Sequence, residues 1–405
     1  MKKKFRELYE AAERKQPKVD LKIEDKMGVS KYMYEQIAGG YDNQLPLSSI
    51  CDAHCFFCSN EMNPFEILRE KFRDIEDVKK GITLLNPNAH AIAIGDALPG
   101  RISEGEALLH PKIFEILPLI RNYAPNSIIQ VTTNATRLTE EFLIKLQPFR
   151  PIKFTISYQS NSEENWCKIF DSPARKFKVA QASFELIHKY GFMVEANMTP
   201  MPSLVGYEDI ENTIKFLSSW PALSYLFIYA PGYSKFVPKE IKDALVYDTK
   251  EMSNFLTEMR KKYMIDINWR LDPERPLHFH PHKTMMDTYY QNFKNPLWLV
   301  SEAAHERASK IIEEFLPSVP NNHYVMNVKN RTYGGNIIAA GLLQVADFDK
   351  AIEIALKKKK DIDLLILPPI PFDKFGNDLT NINHETLYAK YEIPYLMANC
   401  EEGGI

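Results

Sequence analysis

From Leu45 onward, short apolar runs alternate with longer stretches of helical period. The runs Leu45–Ile50, Ala89–Ile94, Ser127–Thr132, Ile152–Ser157, Phe192–Met198 and Tyr225–Tyr229 read as strands. Helical spacing fills the intervals near 74–84, 111–122, 139–146, 174–190 and 207–219. This alternation favours a parallel sheet with covering helices, because a parallel connection has to cross back over the sheet. Six such units predict an α/β fold built on a partial (β/α)6 TIM-like barrel. A doubly wound open sheet has the same periodicity and stands as the competing layout.

Ahead of the barrel, residues 1–44 read as a polar helical lead-in, with Tyr32, Met33, Ile37 and Tyr41 on one apolar stripe. Behind it the pattern loosens. Asp248–Lys262 has helical spacing and Ile265–Leu271 has the composition of a strand. Pro273–Lys283 holds three prolines and three histidines and reads as a connector, with His278, His280 and His282 on an ordinary exposed loop. A second α/β pattern begins at Trp298: helix 302–315, strand 323–328, a turn at Gly334-Gly335, helix 347–358 and strand Leu364–Leu367. The expected organisation is a lead-in at 1–44, a barrel at 45–272, a connector at 273–295 and a smaller C-terminal α/β domain at 296–405.

Composition narrows the class. A net charge of −3 over 405 residues gives no bulk field that would draw in nucleic acid. The start Met1-Lys-Lys-Lys-Phe5 runs into Glu7, Glu10 and Glu13 and lacks the apolar core of a signal peptide. No stretch is long and apolar enough to cross a bilayer. The expectation is a cytoplasmic protein without membrane or nucleic-acid partners. The run Lys357–Lys360 reads as a solvated helix end that complements the helix dipole.

Of five cysteines, Cys51, Cys55 and Cys58 fall within eight residues, directly after the first expected strand. Cys167 and Cys400 stand alone, Cys167 in a polar loop after the fourth strand. Thiolates are soft ligands that suit iron–sulfur clusters and zinc. A closed zinc site usually takes four protein ligands, often as two separated pairs. Here there is one triplet, which can wrap three corners of a cubane and leave the fourth iron open. A zinc site completed by His54, Cys400 or a histidine near 280, in a non-catalytic iron–sulfur or zinc carrier, is the alternative.

The loop Cys51-Asp-Ala-His-Cys55-Phe-Phe-Cys58, with an aromatic at Phe57 before the last cysteine, resembles the radical S-adenosylmethionine (SAM) superfamily. The resemblance implies a [4Fe-4S] cluster on Cys51, Cys55 and Cys58 whose open iron chelates SAM. It also implies reductive cleavage to methionine and a 5′-deoxyadenosyl radical, an external flavodoxin- or ferredoxin-like electron donor, and a substrate, small molecule or peptide, that the motif does not name. Methyl or methylthio transfer is a second alternative. Phe57 is expected beside the cofactor. Ser103-Glu-Gly-Glu-Ala-Leu-Leu-His-Pro111 resembles the family's Gly-Gly-Glu-Pro stretch, so Gly105 and Glu106 are expected at the SAM amino group, with Gly95-Asp96 as the alternative. Thr132-Thr-Asn-Ala-Thr136 resembles the family's Thr-Asn-Gly stretch, with Ala135 in place of Gly. Ser157 and Asn197 end the fourth and fifth expected strands, where polar residues of such barrels meet the SAM ribose or carboxylate. Separately, the segments Leu299–His305, Val325–Val328, Asn330–Leu343 and Leu365–Pro369 resemble an uncharacterised domain that trails the barrel in PDZ-bearing radical SAM proteins.

Overall fold

The computed structural model describes residues 37–38, 40, 43–58, 72–96, 104–269, 277–280, 293–315, 322–397 and 399–402. They fall into two compact units that divide between Asp272 and Pro273. Of the expected apolar stripe in the lead-in, only Ile37 lies among these residues, and it is buried. Tyr32, Met33, Tyr41 and His282 lie outside them.

The first unit is built on strands β1 (Ala91–Ile94), β2 (Ile128–Thr133), β3 (Ile152–Ser157), β4 (Met193–Met198), β5 (Leu223–Ile228) and β6 (Ile267–Trp269). They pair in sequence order, and every pair is parallel. Helices Ile113–Tyr123, Glu140–Leu146, Glu163–Phe170, Ala174–Tyr190, Pro202–Ser218 and Thr249–Tyr263 run between the strands. This is a partial TIM-like barrel. Local chemistry sets several helix starts: Asp74, Thr139, Ser162 and Asp248 each accept a backbone N–H of the first turn. The expected helix at 207–219 begins earlier, at Pro202, and is broken at Gly206, whose φ is 81°.

Two expectations need correction. Leu45–Ile50 is not a strand; Gln44 makes a single parallel bridge to Ala93, and the chain then leaves the sheet. The physical reason is a distant carboxylate. Glu104 takes the N–H groups of Leu47 and Ser48 that a neighbouring strand would otherwise take. The sixth strand is Ile267–Trp269, so the sheet has six strands, but one place further along the chain.

The two faces of this sheet differ. Ile129 and Val131, Ile152, Phe154 and Ile156, Val194, Ala196 and Met198 are buried in one core with Ile116, Leu143, Phe184 and Ile214 of the helices. The alternate residues point the other way. Register sets Thr132, Thr155 and Glu195 side by side. One layer nearer the C-terminal ends, Ser157, Asn197, Phe227 and Asn268 are neighbours. Lys153 on the same face bonds Glu195 at 3.0 Å. A parallel sheet covered on both faces reads as nearly continuous apolar strands. Here one face is polar, as a face reserved for a ligand would be.

The second unit holds a four-stranded parallel sheet of β8 (Pro296–Ser301), β9 (Tyr324–Val328), β10 (Leu364–Leu367) and β11 (Tyr395–Met397), in the order β11–β10–β8–β9. All six residues of β8 are buried, as expected of a central strand. Helices His305–Phe315 and Val345–Lys358 connect the strands, the latter opened by a reciprocal cap between Gln344 and Asp347. Gly334 and Gly335 have φ of 61° and 62° and form the expected turn. The histidine segment differs from its expectation. β7 (Leu277–His280) is a strand, antiparallel to β12 (Asn399–Glu402), and Cys400 is in register with Phe279. Among the described residues, no helix is long and apolar enough to cross a membrane.

Candidate active site

The cysteine loop is held from three directions. From one side, Gly105 donates its N–H to Ser48 O at 2.7 Å and Glu106 donates to Ile50 O at 2.8 Å. This contact needs glycine: a Cβ at Gly105 would lie 2.2 Å from Ile50 O and 2.4 Å from its carbonyl carbon. From below, buried Arg73 donates Nη1 to Pro46 O at 3.0 Å, and its N–H goes to Leu47 O at 3.1 Å. His110, from the Leu-Leu-His-Pro stretch, accepts the Lys112 N–H at Nδ1, which leaves Nε2–H to donate to Arg73 O. His110 is therefore structural.

The third anchor lies far along the chain. His54 N–H donates to Phe170 O at 2.9 Å and Phe56 N–H to Ile169 O at 2.8 Å. Phe57 packs edge-on against Phe170, with ring centroids 6.1 Å apart. Phe170 in turn stacks on Trp166 at 4.5 Å. Cys167 belongs to this helix, not to the polar loop expected for it. Its neighbours Trp166, Ile169 and Phe170 are buried, and that apolar face forms the helix once Ser162 caps it.

Within the loop, Asp52 is the most heavily bonded side chain. It accepts Asn134 Nδ2–H at 2.9 Å and Thr136 Oγ–H at 3.0 Å, and pairs with Lys176 at 2.9 Å. Burial would raise its pKa, but Lys176, Asn134 and Thr136 together hold it below the ordinary carboxylate range. Asn134 follows Thr133, the last residue of β2, and its Nδ2 is also 4.0 Å from Cys51 Sγ. The thiols therefore stand at the C-terminal ends of the strands, where barrel active sites lie. Ala135, where the family pattern has glycine, has a φ of 60°, the left-handed conformation that glycine adopts freely.

The three thiols feel one another. Although Cys51 is exposed at the surface, desolvation by the surrounding protein raises its thiol, and Glu106, Asp52 and Cys58 add to the rise. Burial also raises Cys55, reinforced by Cys58 and Cys51. None of the three is in a disulfide. Positive metal charge reverses such a preference, since a coordinating thiol is deprotonated outright. Among the described residues, no group of three or more His, Cys, Asp or Glu side chains is arranged to hold a single metal ion. Three soft thiol donors on one short loop are of the kind that suits an iron–sulfur cluster.

Two carboxylates border the loop. Glu106 is buried and accepts Thr133 Oγ–H at 2.9 Å and Asn134 N–H at 2.8 Å. Burial, against those donors, pushes it up to about 7. Glu104 is buried under Leu47 and Ser48, and burial pushes it up to about 8. Gly95 turns with a φ of 80° against Thr132 O, and Asp96 interacts electrostatically with Glu104; Glu106 interacts with Cys51. Ser157 and Asn197 are direct register partners at the ends of β3 and β4. The structure thus gathers Cys51, Cys55, Cys58, Phe57, Gly105 and Glu106 at one loop, and sets Ser157 beside Asn197. Sequence reasoning missed Asp52, Lys176, Arg73 and Glu104. The one signal for them was an acid inserted between thiol ligands, which calls for a compensating cation.

Residues 45–217 match the family model described as Radical SAM superfamily. They form a radical SAM domain. The cofactors that come with it are a [4Fe-4S] cluster and SAM. Among solved structures, the chain is similar to Streptococcus suis SuiB bound to S-adenosylmethionine, at 13% identity and a TM-score of 0.42, over 74% of this chain and 61% of that one. It is similar to SuiB bound to precursor peptide SuiA, at 13% identity and a TM-score of 0.44, over 74% and 60% of the two chains. A domain of pyruvate-formate lyase-activating enzyme from Bacteroides vulgatus matches at 10% identity and a TM-score of 0.34, over 45% of this chain and 99% of that one. The chain spans about three fifths of the SuiB chain's length. No curated protein matches.

Proposed function

We propose that this protein is a radical SAM enzyme whose Cys51, Cys55 and Cys58 hold the [4Fe-4S] cluster. The observation that carries this is the three-thiol loop, with Cys51 Sγ 4.0 Å from Asn134 Nδ2 just beyond the C-terminal end of β2, within a radical SAM domain. Held there by Cys51, Cys55 and Cys58, a one-electron-reduced [4Fe-4S] cluster with SAM would supply reductive SAM cleavage and hydrogen abstraction from the substrate.

The chain's own residues bind and orient. The backbone at Gly105 and the carboxylate of Glu106 border the thiol loop and receive the SAM amino group. Ser157 and Asn197, neighbours in register, receive the ribose or carboxylate. Phe57 closes one side of the cofactor site through its packing on Phe170. One layer deeper, Thr132 and Thr155 turn buried hydroxyls without a hydrogen-bond partner in the protein onto the polar face, beside the Lys153–Glu195 pair. Since buried hydroxyls are costly unless bonded, this layer favours a polar substrate. A flavodoxin- or ferredoxin-like protein supplies the low-potential electron.

The test is anaerobic reconstitution with iron and sulfide, reduction with dithionite in the presence of SAM, and mass spectrometry for 5′-deoxyadenosine, with Cys55→Ala as control. Deoxyadenosine from the wild type alone supports the reading. An assembled cluster whose spectrum does not respond to SAM refutes it in favour of a metal carrier.

A further inference from the structure

Resting on the reading that the three cysteines hold a [4Fe-4S] cluster, we propose that Asp52 and Lys176, together with Asn134, form a charge-balanced clamp that sets the cluster's reduction potential. Asp52 follows Cys51 directly. Both of its carboxylate oxygens are engaged: Oδ1 by Asn134 Nδ2–H at 2.9 Å, Oδ2 by Thr136 Oγ–H at 3.0 Å and Lys176 Nζ at 2.9 Å. Lys176 also donates to the Asp52 backbone carbonyl, which Ser172 Oγ–H approaches at 3.4 Å. Both charged side chains are about four-fifths buried, with 21% and 19% exposure. Partly buried charges are screened much less than surface ones, so their field reaches the thiols. The same Asn134 amide that binds Asp52 lies 4.0 Å from Cys51 Sγ. Hydrogen bonds and net charge around the sulfurs are the levers by which a protein tunes such a cluster.

The pair is neutral as a unit, and each half has a signed effect. Reduction adds one electron to the cluster. A carboxylate left alone beside it opposes that electron and lowers the potential. An ammonium left alone favours it and raises the potential. A clamp that only holds the loop in place has no such sign.

The measurement is a mediated redox titration of the reconstituted full chain, followed by the electron paramagnetic resonance signal of the reduced cluster. Lys176→Met is expected to lower the reduction equilibrium constant about tenfold, ~59 mV for one electron. Asp52→Asn is expected to raise it by a similar factor. The double variant and Lys176→Arg return close to wild type, and Asn134→Ala shifts the potential downward. Shifts of one sign in both single variants, or none with the cluster intact, overturn the proposal. Should Lys176→Met lose its iron, Asp52→Asn decides alone: an upward shift sustains the clamp, and an unchanged or lower potential overturns it. A wild type that assembles no cluster refutes the underlying cysteine assignment instead.

Discussion

Removing the Glu104 carboxylate tests the claim that a distant acid, and not a neighbouring strand, shapes the approach to the cysteine loop. The side chain is 6% exposed and accepts Leu47 N–H at 2.9 Å and Ser48 N–H at 2.7 Å. Glu104→Ala leaves both backbone donors buried without their acceptor. Each such donor costs about 1–3 kcal/mol, so the loss is about 2–6 kcal/mol. A domain of this size shifts about 2–4 °C per kcal/mol, so the midpoint falls by at least about 4 °C. The assay is a thermal melt followed by tryptophan emission, because Trp166, Trp220 and Trp269 lie in the first unit and only Trp298 in the second. Glu104→Gln keeps one acceptor oxygen and falls between the wild type and the alanine variant. A Glu104→Ala midpoint within about 1 °C of wild type would refute the role assigned to this side chain.

The same residue fixes a pH dependence. Burial raises Glu104 from 4.5 to about 8 against the pull of Ser48 and Leu47 N–H and of Arg73. Between those values the folded chain holds a proton that the unfolded chain has lost. Stability from this group therefore falls as pH rises through that window. Compared with Glu104→Gln, the wild type loses stability from pH 5 toward pH 8. A gap that stays constant, or that changes the other way, is the contrary result.

Other perturbations separate packing from binding. Gly105→Ala forces its Cβ against the Ile50 carbonyl, 2.2 Å away, and is expected to cost roughly 1–3 kcal/mol and to lower iron content after reconstitution; unchanged iron and midpoint would refute the close approach. Ser157→Ala and Asn197→Ala each remove a hydrogen-bonding group proposed for SAM, so SAM affinity falls by about 2–12-fold while the cluster's absorption is kept; calorimetric titration of the reduced-iron-free control and the reconstituted protein reads this, and unaltered affinity sinks the assignment. Thr155→Val removes a hydroxyl that has no hydrogen-bond partner in the protein, so its melt stays within about 1 kcal/mol of wild type; a loss of several kcal/mol would mean that the hydroxyl supports the fold and not a ligand.

The parts of the fold legible in the sequence are those decided by neighbours in sequence. β2 and β4 alternate buried and more exposed residues with period two, and the ends of β2, β3 and β4 lie within a residue or two of the apolar runs that announce them. Helix Ala174–Tyr190 matches its expectation, because Pro173 precedes it and Gly191 closes it in the left-handed conformation. Leu45–Ile50 has the apolar content of a strand, and nothing in it reveals that Glu104 and Gly105 will claim its backbone. Ile267–Trp269 lies inside Ile265–Leu271, whose composition already reads as a strand, although only three of its residues pair. Leu277–His280 pairs with Asn399–Glu402, more than a hundred residues away, and its prolines and histidines suggested a connector.

The site divides in the same way, and the division has a physical cause. Thiol spacing is local, so Cys51, Cys55 and Cys58, the proposed cluster ligands, stand out together on one short loop. The support of that loop is not local. Asp52 reaches residues 82 and 124 positions away, and the loop's backbone bonds run to Ile169 and Phe170. An acid placed among thiolates is unfavourable alone, so its presence requires a cation close by. The sequence states that requirement but offers 50 lysines and arginines to meet it. Folding selects Lys176, because helix Ala174–Tyr190 follows directly on the Ile169–Ser172 segment whose carbonyls already hold His54 and Phe56. The loop thus takes its shape from β2 and the helices after β3. Its thiols are held by contacts from across the barrel, so the charge balance around them is part of the scaffold and not of the motif.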